Sequence, residues 1–163
     1  MTGVIKKSDN AIRTLRRDDL AAMVAIDHAY TNQTRRRFFE KRLDVAKVHP
    51  EDFIHVGLDH DGALVAFAFA RILRGEFGRE DTVAVLDIMG VAPKNQKHGL
   101  GHALIQGLCD RLRDKGVRVL NSQADWTNHG LLQFFDSFGF TLAPRLVLQR
   151  TLAEPLAELT DQV

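Results

Sequence analysis

Two hydrophobic periods alternate along the chain. Ala11–Arg16, with Ile12 and Leu15, alternates weakly and reads as a first strand. Leu20, Met23, Val24 and Ile26 then recur at helical spacing up to about Tyr30, behind Asp18 or Asp19 as a capping residue. After a break at Thr31–Thr34, a second helix is predicted over Arg35–Val48, carrying Phe38, Phe39 and Leu43 and ended by His49-Pro50. The period shortens again over Phe53–Leu58, a strand followed by the turn Asp59-His60-Asp61-Gly62. Ala63–Leu73 and Val83–Val91 are nearly unbroken apolar runs, as expected of strands covered on both faces. Leu100, Leu104, Leu108 and Leu112 recur at i+4, and Ala103, Ile105 and Cys109 widen that apolar face. Lys115-Gly116 caps this helix, and Val117–Gln123 reads as the next strand. A short helix over Asn128–Ser137 and a last strand over Thr141–Gln149 complete the order β-α-α-β-β-β-α-β-α-β, with a tail from Thr151.

Composition narrows the class without naming a function. A chain of 163 residues is the size of one domain and buries roughly 70% of its unfolded surface. A net charge of +1 speaks against nucleic acid and membrane surfaces as partners. The single cysteine, Cys109, rules out an internal disulfide framework and fits a reducing, cytoplasmic setting; on an apolar helix face it reads as an inert thiol. No apolar run reaches the ~18 residues of a membrane span, and the polar start does not read as a signal peptide.

Candidate chemistry concentrates between Val83 and Leu112. A strand runs into the polar loop Lys94–His98, then Gly99-Leu100-Gly101, then a helix. The first amides of a helix have no partner inside it, the dipole adds positive charge there, and glycines let an anion approach the main chain. Lys97, His98 and His102 surround the point. Strand, helix and strand with short links imply a parallel pair, whose ligands sit beyond the strand carboxyl ends, near Met89–Ala92 and Gln123–Asp125. A dinucleotide fingerprint fails at Leu104, where a third small residue is needed, and a Walker loop fails at His102. His98 lies in the loop, so His98 and His102 do not form a metal-binding pair on one helix face; no metal is expected.

Gln96-Lys97-His98-Gly99-Leu100-Gly101 resembles the Q/R-x-x-G-x-G/A signature of the GNAT superfamily of acyl-CoA N-acyltransferases. Val91-Ala92-Pro93, Asn128 and the run Phe134-Phe135-Asp136-Ser137-Phe138-Gly139-Phe140 resemble further blocks of that family, and the likeness spans about residues 11–149. The resemblance implies a single α+β domain of GNAT fold, a mixed central sheet of six to seven strands flanked by about four helices. It implies acetyl-CoA as cosubstrate, an amine acceptor (small molecule or protein amine) and a homodimer as a possible assembly. Position by position, it implies that the amides of Gln96, Lys97, His98, Gly99, Leu100, Gly101 and His102 hold the pyrophosphate. The main chain of Met89, Gly90 and Val91 would pair with the pantetheine arm like an added strand. Gly90 suits a close backbone approach, with tight packing in the sheet as the other explanation. Asn128 would reach the pantetheine or thioester side, or else cap its helix.

Acyl transfer to an amine needs a proton acceptor, direct or through water. Asp87 is the sharpest candidate base, because a charge inside an apolar strand is costly unless used or paired; Arg71 is the candidate partner. Asp125, past the next strand, and Glu76, in the loop before it, are the others; Asp125 equally suits a helix cap. One departure from the family pattern stands out. Phe135 occupies the position where many members carry a tyrosine that protonates the departing thiolate. A thiol of pKa near 8.5 is a fair leaving group without it. Tyr30, the only tyrosine, could act from the other side, though core packing is the expectation. The departure also motivates an alternative, a non-catalytic acyl-CoA-binding or regulatory module. Tyr30–Arg37 and Arg74–Asp81 are expected to shape the acceptor pocket. Within them Arg35-Arg36-Arg37 reads mainly as a solvated helix start and secondarily as a match for an acidic acceptor.

Overall fold

A computed structural model of the chain describes residues 10–78 and 80–152. Its elements are β1 (Asn10–Thr14), α1 (Leu20–Thr31), α2 (Arg36–Val48), β2 (Phe53–His60), β3 (Ala63–Arg74), β4 (Thr82–Val91), α3 (Leu100–Asp114), β5 (Val119–Ser122) and α4 (His129–Ser137). Two compact units divide between Asp125 and Trp126; the first holds the sheet with α1, α2 and α3, the second holds α4.

The sheet runs in the order β1-β2-β3-β4-β5, antiparallel except for the parallel β4–β5 pair. β2 reaches His60, so the hairpin turn is only Asp61-Gly62, both at positive φ (50° and 80°), the conformation a tight two-residue hairpin demands. β3 is buried from Val65 to Ala70 because both its faces are covered. Phe67 and Phe69 join Met23 and Ile26 of α1 and Phe39 and Leu43 of α2 in one core cluster. The intervening Ala66, Ala68 and Ala70 present the opposite face, where their small side chains let α3 approach. Leu100, Leu104, Ile105, Leu108 and Leu112 bury α3's apolar stripe there. α3 ends as expected: Gly116 (φ 77°) donates to Arg113 O at 2.9 Å and Val117 donates to Leu112 O at 3.0 Å, with both flanking apolar side chains buried.

Three expectations are corrected. The sheet has five strands among the described residues, not six to seven. Residues 141–149 form no strand: no neighbour among the described residues pairs with them, Leu142, Leu146 and Leu148 are exposed, and Pro144 offers no donor. Asp19 does not cap α1 with its side chain. Its carboxylate accepts the Arg16 backbone N–H at 2.6 Å and both terminal nitrogens of Arg13, whose Nε and Nη2 also bond Asp59. That cluster ties β1, β2 and the entry to α1 together. The tail from residue 153 lies outside the described residues.

Candidate active site

β4 sets the geometry. Its register with β3 shifts between Phe69↔Ile88 and Ala70↔Leu86, so Asp87 is the extra residue of a β-bulge. On its other side β4 pairs with β5 only from Val83 to Leu86, and Ser122 Oγ closes the pairing by donating to Leu86 O at 3.2 Å. Beyond that point no described strand lies along β4. Ala92 N–H bonds Val65 O of β3 at 2.7 Å, so by strand alternation Gly90 and Ile88 also direct their main chain to β3. Met89 and Val91 direct theirs to the open side. The result is an unpaired ladder edge roughly 13 Å long between Asp87 and Val91, at about 3.3 Å per residue.

The ladder runs directly into a helix N-terminus. Pro93–Asn95 makes a single 3₁₀ turn, Lys97 stands at φ 63°, and Gly99 at φ 74° is the left-handed cap of α3. A lysine in that region costs of order 1 kcal/mol, the kind of local strain found at ligand clamps. α3's first internal bond is Ala103 N–H to Gly99 O at 3.0 Å, no side chain caps the helix, and no acidic residue stands in its first turn. The amides of Leu100 and Gly101 therefore have no carbonyl partner within the helix, while exposed Lys94, Lys97 and His98 surround them. The arrangement has the shape and the sign to hold an anion.

Tyr30 joins the two parts. Its hydroxyl donates to the Val91 carbonyl on the open side, and the Gln96 side-chain amide donates to the hydroxyl. Tyr30 is 53% exposed, so the expectation of core packing is corrected. Nothing in its sequence neighbourhood signals this role; the contact spans 66 residues.

Asp87 stands at the far end of the ladder. Arg71 grips it with two bonds, Nε–Oδ2 at 2.6 Å and Nη2–Oδ1 at 3.0 Å, and Arg42 Nη1 bonds Oδ2 at 2.8 Å. Burial works to raise this carboxyl, but the Arg71 and Arg42 bonds outweigh it and hold it below the ordinary carboxylate range. Arg71 matches the expected partner, whereas Arg42, 45 residues away, was not foreseeable. The guanidiniums of Arg35 and Arg42 lie over the Phe38 ring, 4.9 and 5.0 Å from its centroid. Arg35 is not a solvated helix start: it pairs with the buried carboxylate of Asp27, and Arg36 pairs with Glu40 at 3.1 Å.

The remaining candidates are placed as follows. Gly90 is explained by packing, since a Cβ there would lie 2.9 Å from Ile26 Cγ2 and 3.1 Å from a Phe67 ring carbon. Glu76 is exposed in a 3₁₀ turn and raises Arg71 through space. Asp125 is exposed, three residues past β5. Cys109 is half-buried and burial pushes its thiol up, as expected of an inert thiol. In the second unit, Asn128 Oδ1 accepts Leu131 N–H at 3.1 Å, so it caps α4. Phe135 packs on Phe140 at 4.8 Å across the turn at Gly139 (φ 83°), where Phe140 N–H bonds Phe135 O at 3.0 Å. Outside this region His49, Glu51 and Asp52 bring three potential ligand atoms within 4.8 Å, but Asp52 is engaged by Arg74.

Comparison with known proteins identifies the family and the fold. The Acetyltransferase (GNAT) family matches residues 20–140. A curated relative, the [ribosomal protein bS18]-alanine N-acetyltransferase of Escherichia coli (strain K12), is 28% identical over 134 residues, 82% of either chain. The solved structure of the ribosomal-protein-S18-alanine N-acetyltransferase from Escherichia coli superposes with a TM-score of 0.66 at 26% identity, over 83% of this chain and 79% of that one. The aminoglycoside N-acetyltransferase AAC(6')-Iy in complex with CoA reaches 0.75 at 19% identity, over 91% and 99%, a likeness of fold.

Proposed function

The chain belongs to the GNAT acetyltransferase family and is an acetyl-CoA-dependent N-acetyltransferase, and we propose that its cofactor lies along the open edge of β4 with its pyrophosphate at the bare N-terminus of α3. The observation that carries this placement is the continuity of the two: an unpaired strand edge that runs straight into uncapped helix amides. Met89 and Val91 offer donors and acceptors at the spacing of a strand, which suits the two amides of a pantetheine arm. Gln96, Lys97, His98, Gly99, Leu100, Gly101 and His102 form the pyrophosphate turn. Over roughly 13 Å the arm reaches Asp87, so the thioester sits where β4 and β5 part.

Transfer then proceeds by direct attack in a ternary complex. The neutral amine nitrogen attacks the thioester carbonyl carbon, the C–S bond breaks, and CoA leaves as thiolate, a fair leaving group at a thiol pKa near 8.5. The nitrogen loses its extra proton to water in the cleft. Asp87, held ionised by two guanidiniums, is a weak base, and its part is to fix Arg42 and Arg71 beside the reacting centre. Asp125 is a further candidate for the acceptor side. A cytoplasmic location and a homodimer belong to the same reading; among the described residues no helix is long and apolar enough to cross a membrane.

The test pairs thiol release from acetyl-CoA, measured over a panel of amines, with calorimetry. Gly99→Asp puts a strained side chain and a negative charge at the helix N-terminus and should abolish acetyl-CoA binding while the protein stays folded. Normal affinity in the folded variant would remove the pyrophosphate from this turn.

A further inference from the structure

We propose that the amine acceptor carries a carboxylate close to its reacting nitrogen and that Arg42 and Arg71 bind it. This rests on the reading that the thioester ends beside Asp87. The bulge presents Asp87 to Arg42 of α2, hence on the α2 face of the sheet, whereas α3 packs on the opposite face. A cofactor anchored at α3 leaves the α2 face of the slot to the second substrate. That face meets the acceptor with two guanidiniums and one carboxylate.

The donors are not spent on Asp87. Each guanidinium has five N–H groups. Arg42 gives one bond to Asp87 and Arg71 gives two, with no further acceptor for either among the described residues. Both are pre-organised: Arg42 lies over Phe38 at 5.0 Å, and Arg71 is fixed by its forked grip on Asp87. Arg71 keeps 44% and Arg42 28% of its side chain exposed, against 11% for Asp87. A second carboxylate can therefore reach the cations more readily than a second cation can reach the anion. Arg35 does not compete, because Asp27 neutralises it, and Glu76 acts on Arg71 only through space. The same excess of positive charge disfavours an ammonium at this point and favours the free amine that attacks.

Two sources share this chemistry: the α-carboxylate of a free amino acid, and an acidic side chain next to the amino terminus of a peptide. The experiment compares isosteric pairs in each, an amino acid with its amide and an Ala-Glu peptide with its Ala-Gln counterpart. Release of free CoA from acetyl-CoA is followed in wild type, Arg71→Gln and Arg71→Lys. In at least one pair the acid should exceed the amide in kcat/KM by about ten-fold, as expected for charge-assisted bonds. The preference should vanish in Arg71→Gln, return in part in Arg71→Lys, and weaken with added salt; the pair that shows it identifies the source. Acetyl-CoA affinity is measured separately by calorimetry. A protein that binds acetyl-CoA yet treats acid and amide alike, or turns over neither, overturns the acidic-acceptor assignment alone. A preference that survives intact in Arg71→Gln also overturns it. Failure to bind acetyl-CoA overturns the site itself.

Discussion

Replacing Tyr30 by phenylalanine separates two roles that differ by orders of magnitude. As the proton donor to the leaving thiolate, Tyr30 would contribute the 10²–10⁴ in turnover typical of a general acid. Geometry argues against that role. The hydroxyl bonds the Val91 carbonyl and Gln96, at the pyrophosphate end of the ladder, four residues along β4 from Asp87. With the thioester at Asp87 as proposed, the sulfur lies roughly 13 Å away at about 3.3 Å per residue. What Tyr30→Phe removes is two neutral hydrogen bonds that fix Gln96 and the mouth of the turn. Buried, these would contribute about 0.5–1.5 kcal/mol each; on a half-exposed side chain water replaces part of each, and a total near 1 kcal/mol is expected. That corresponds to about a five-fold rise in KM for acetyl-CoA, with kcat within about two-fold and an unchanged pH profile. The assay is steady-state kinetics in acetyl-CoA at saturating amine, from pH 6 to pH 10. A hundred-fold fall in kcat, with a change in the alkaline limb, would refute the reasoning and make the phenol the acid.

Two further outcomes follow from packing and charge. Gly90→Ala forces a methyl to 2.9 Å from Ile26 Cγ2, a stiff β-branched side chain, and to 3.1 Å from Phe67; it should lower stability by about 1–3 kcal/mol in urea unfolding with an unchanged m-value, and leave acetyl-CoA affinity alone. An unaltered midpoint with weakened cofactor binding would instead assign this glycine to the cofactor. Burial works to raise the Asp19 carboxyl, but Arg13 and the Arg16 amide outweigh it and hold it below the ordinary range. Its stabilisation is therefore fully present above the unfolded carboxyl pKa of about 4 and is lost as pH falls through the lower folded value. Asp19→Asn should cost about 1–3 kcal/mol near pH 7 and flatten the acid limb of the stability curve, and a variant with the wild-type acid limb would contradict this.

What could be read from the chain was whatever short-range pattern dictates. The i+4 leucines of α3, its Gly116 cap and the glycine at its start are local, and each stands where the pattern puts it. The β4–turn–α3 unit was legible for that reason. Relations between distant strands were not. The sequence reads as a last strand over residues 141–149, but a strand exists only with a partner, and none of the described strands pairs with it. Gly90 signals a special backbone position in any sequence; only the neighbouring Ile26 and Phe67 show that packing is the cause. Tyr30 looked like a core aromatic because its hydroxyl partners lie 61 and 66 residues away.

The bulge at Asp87 is the feature from which the rest of the site follows. An inserted residue increases local twist and bends its strand. Here it falls at the point where β4 stops pairing with β5, so the insertion that disturbs the β3 register coincides with the opening of the slot on the other edge. It also fixes where charge is placed. An aspartate in a strand covered on both faces would be costly unless satisfied. Aimed by the bulge toward α2, it meets Arg42 as well as Arg71 and is compensated twice. On the proposed reading, a carboxylate doubly neutralised in this way serves as an anchor for cations rather than as the base. On the proposed placement of the cofactor, the chemistry left at the slot's inner end is a guanidinium pair beside the thioester, with no protonated phenol at hand. That arrangement suits an amine delivered neutral and a thiolate that leaves unassisted.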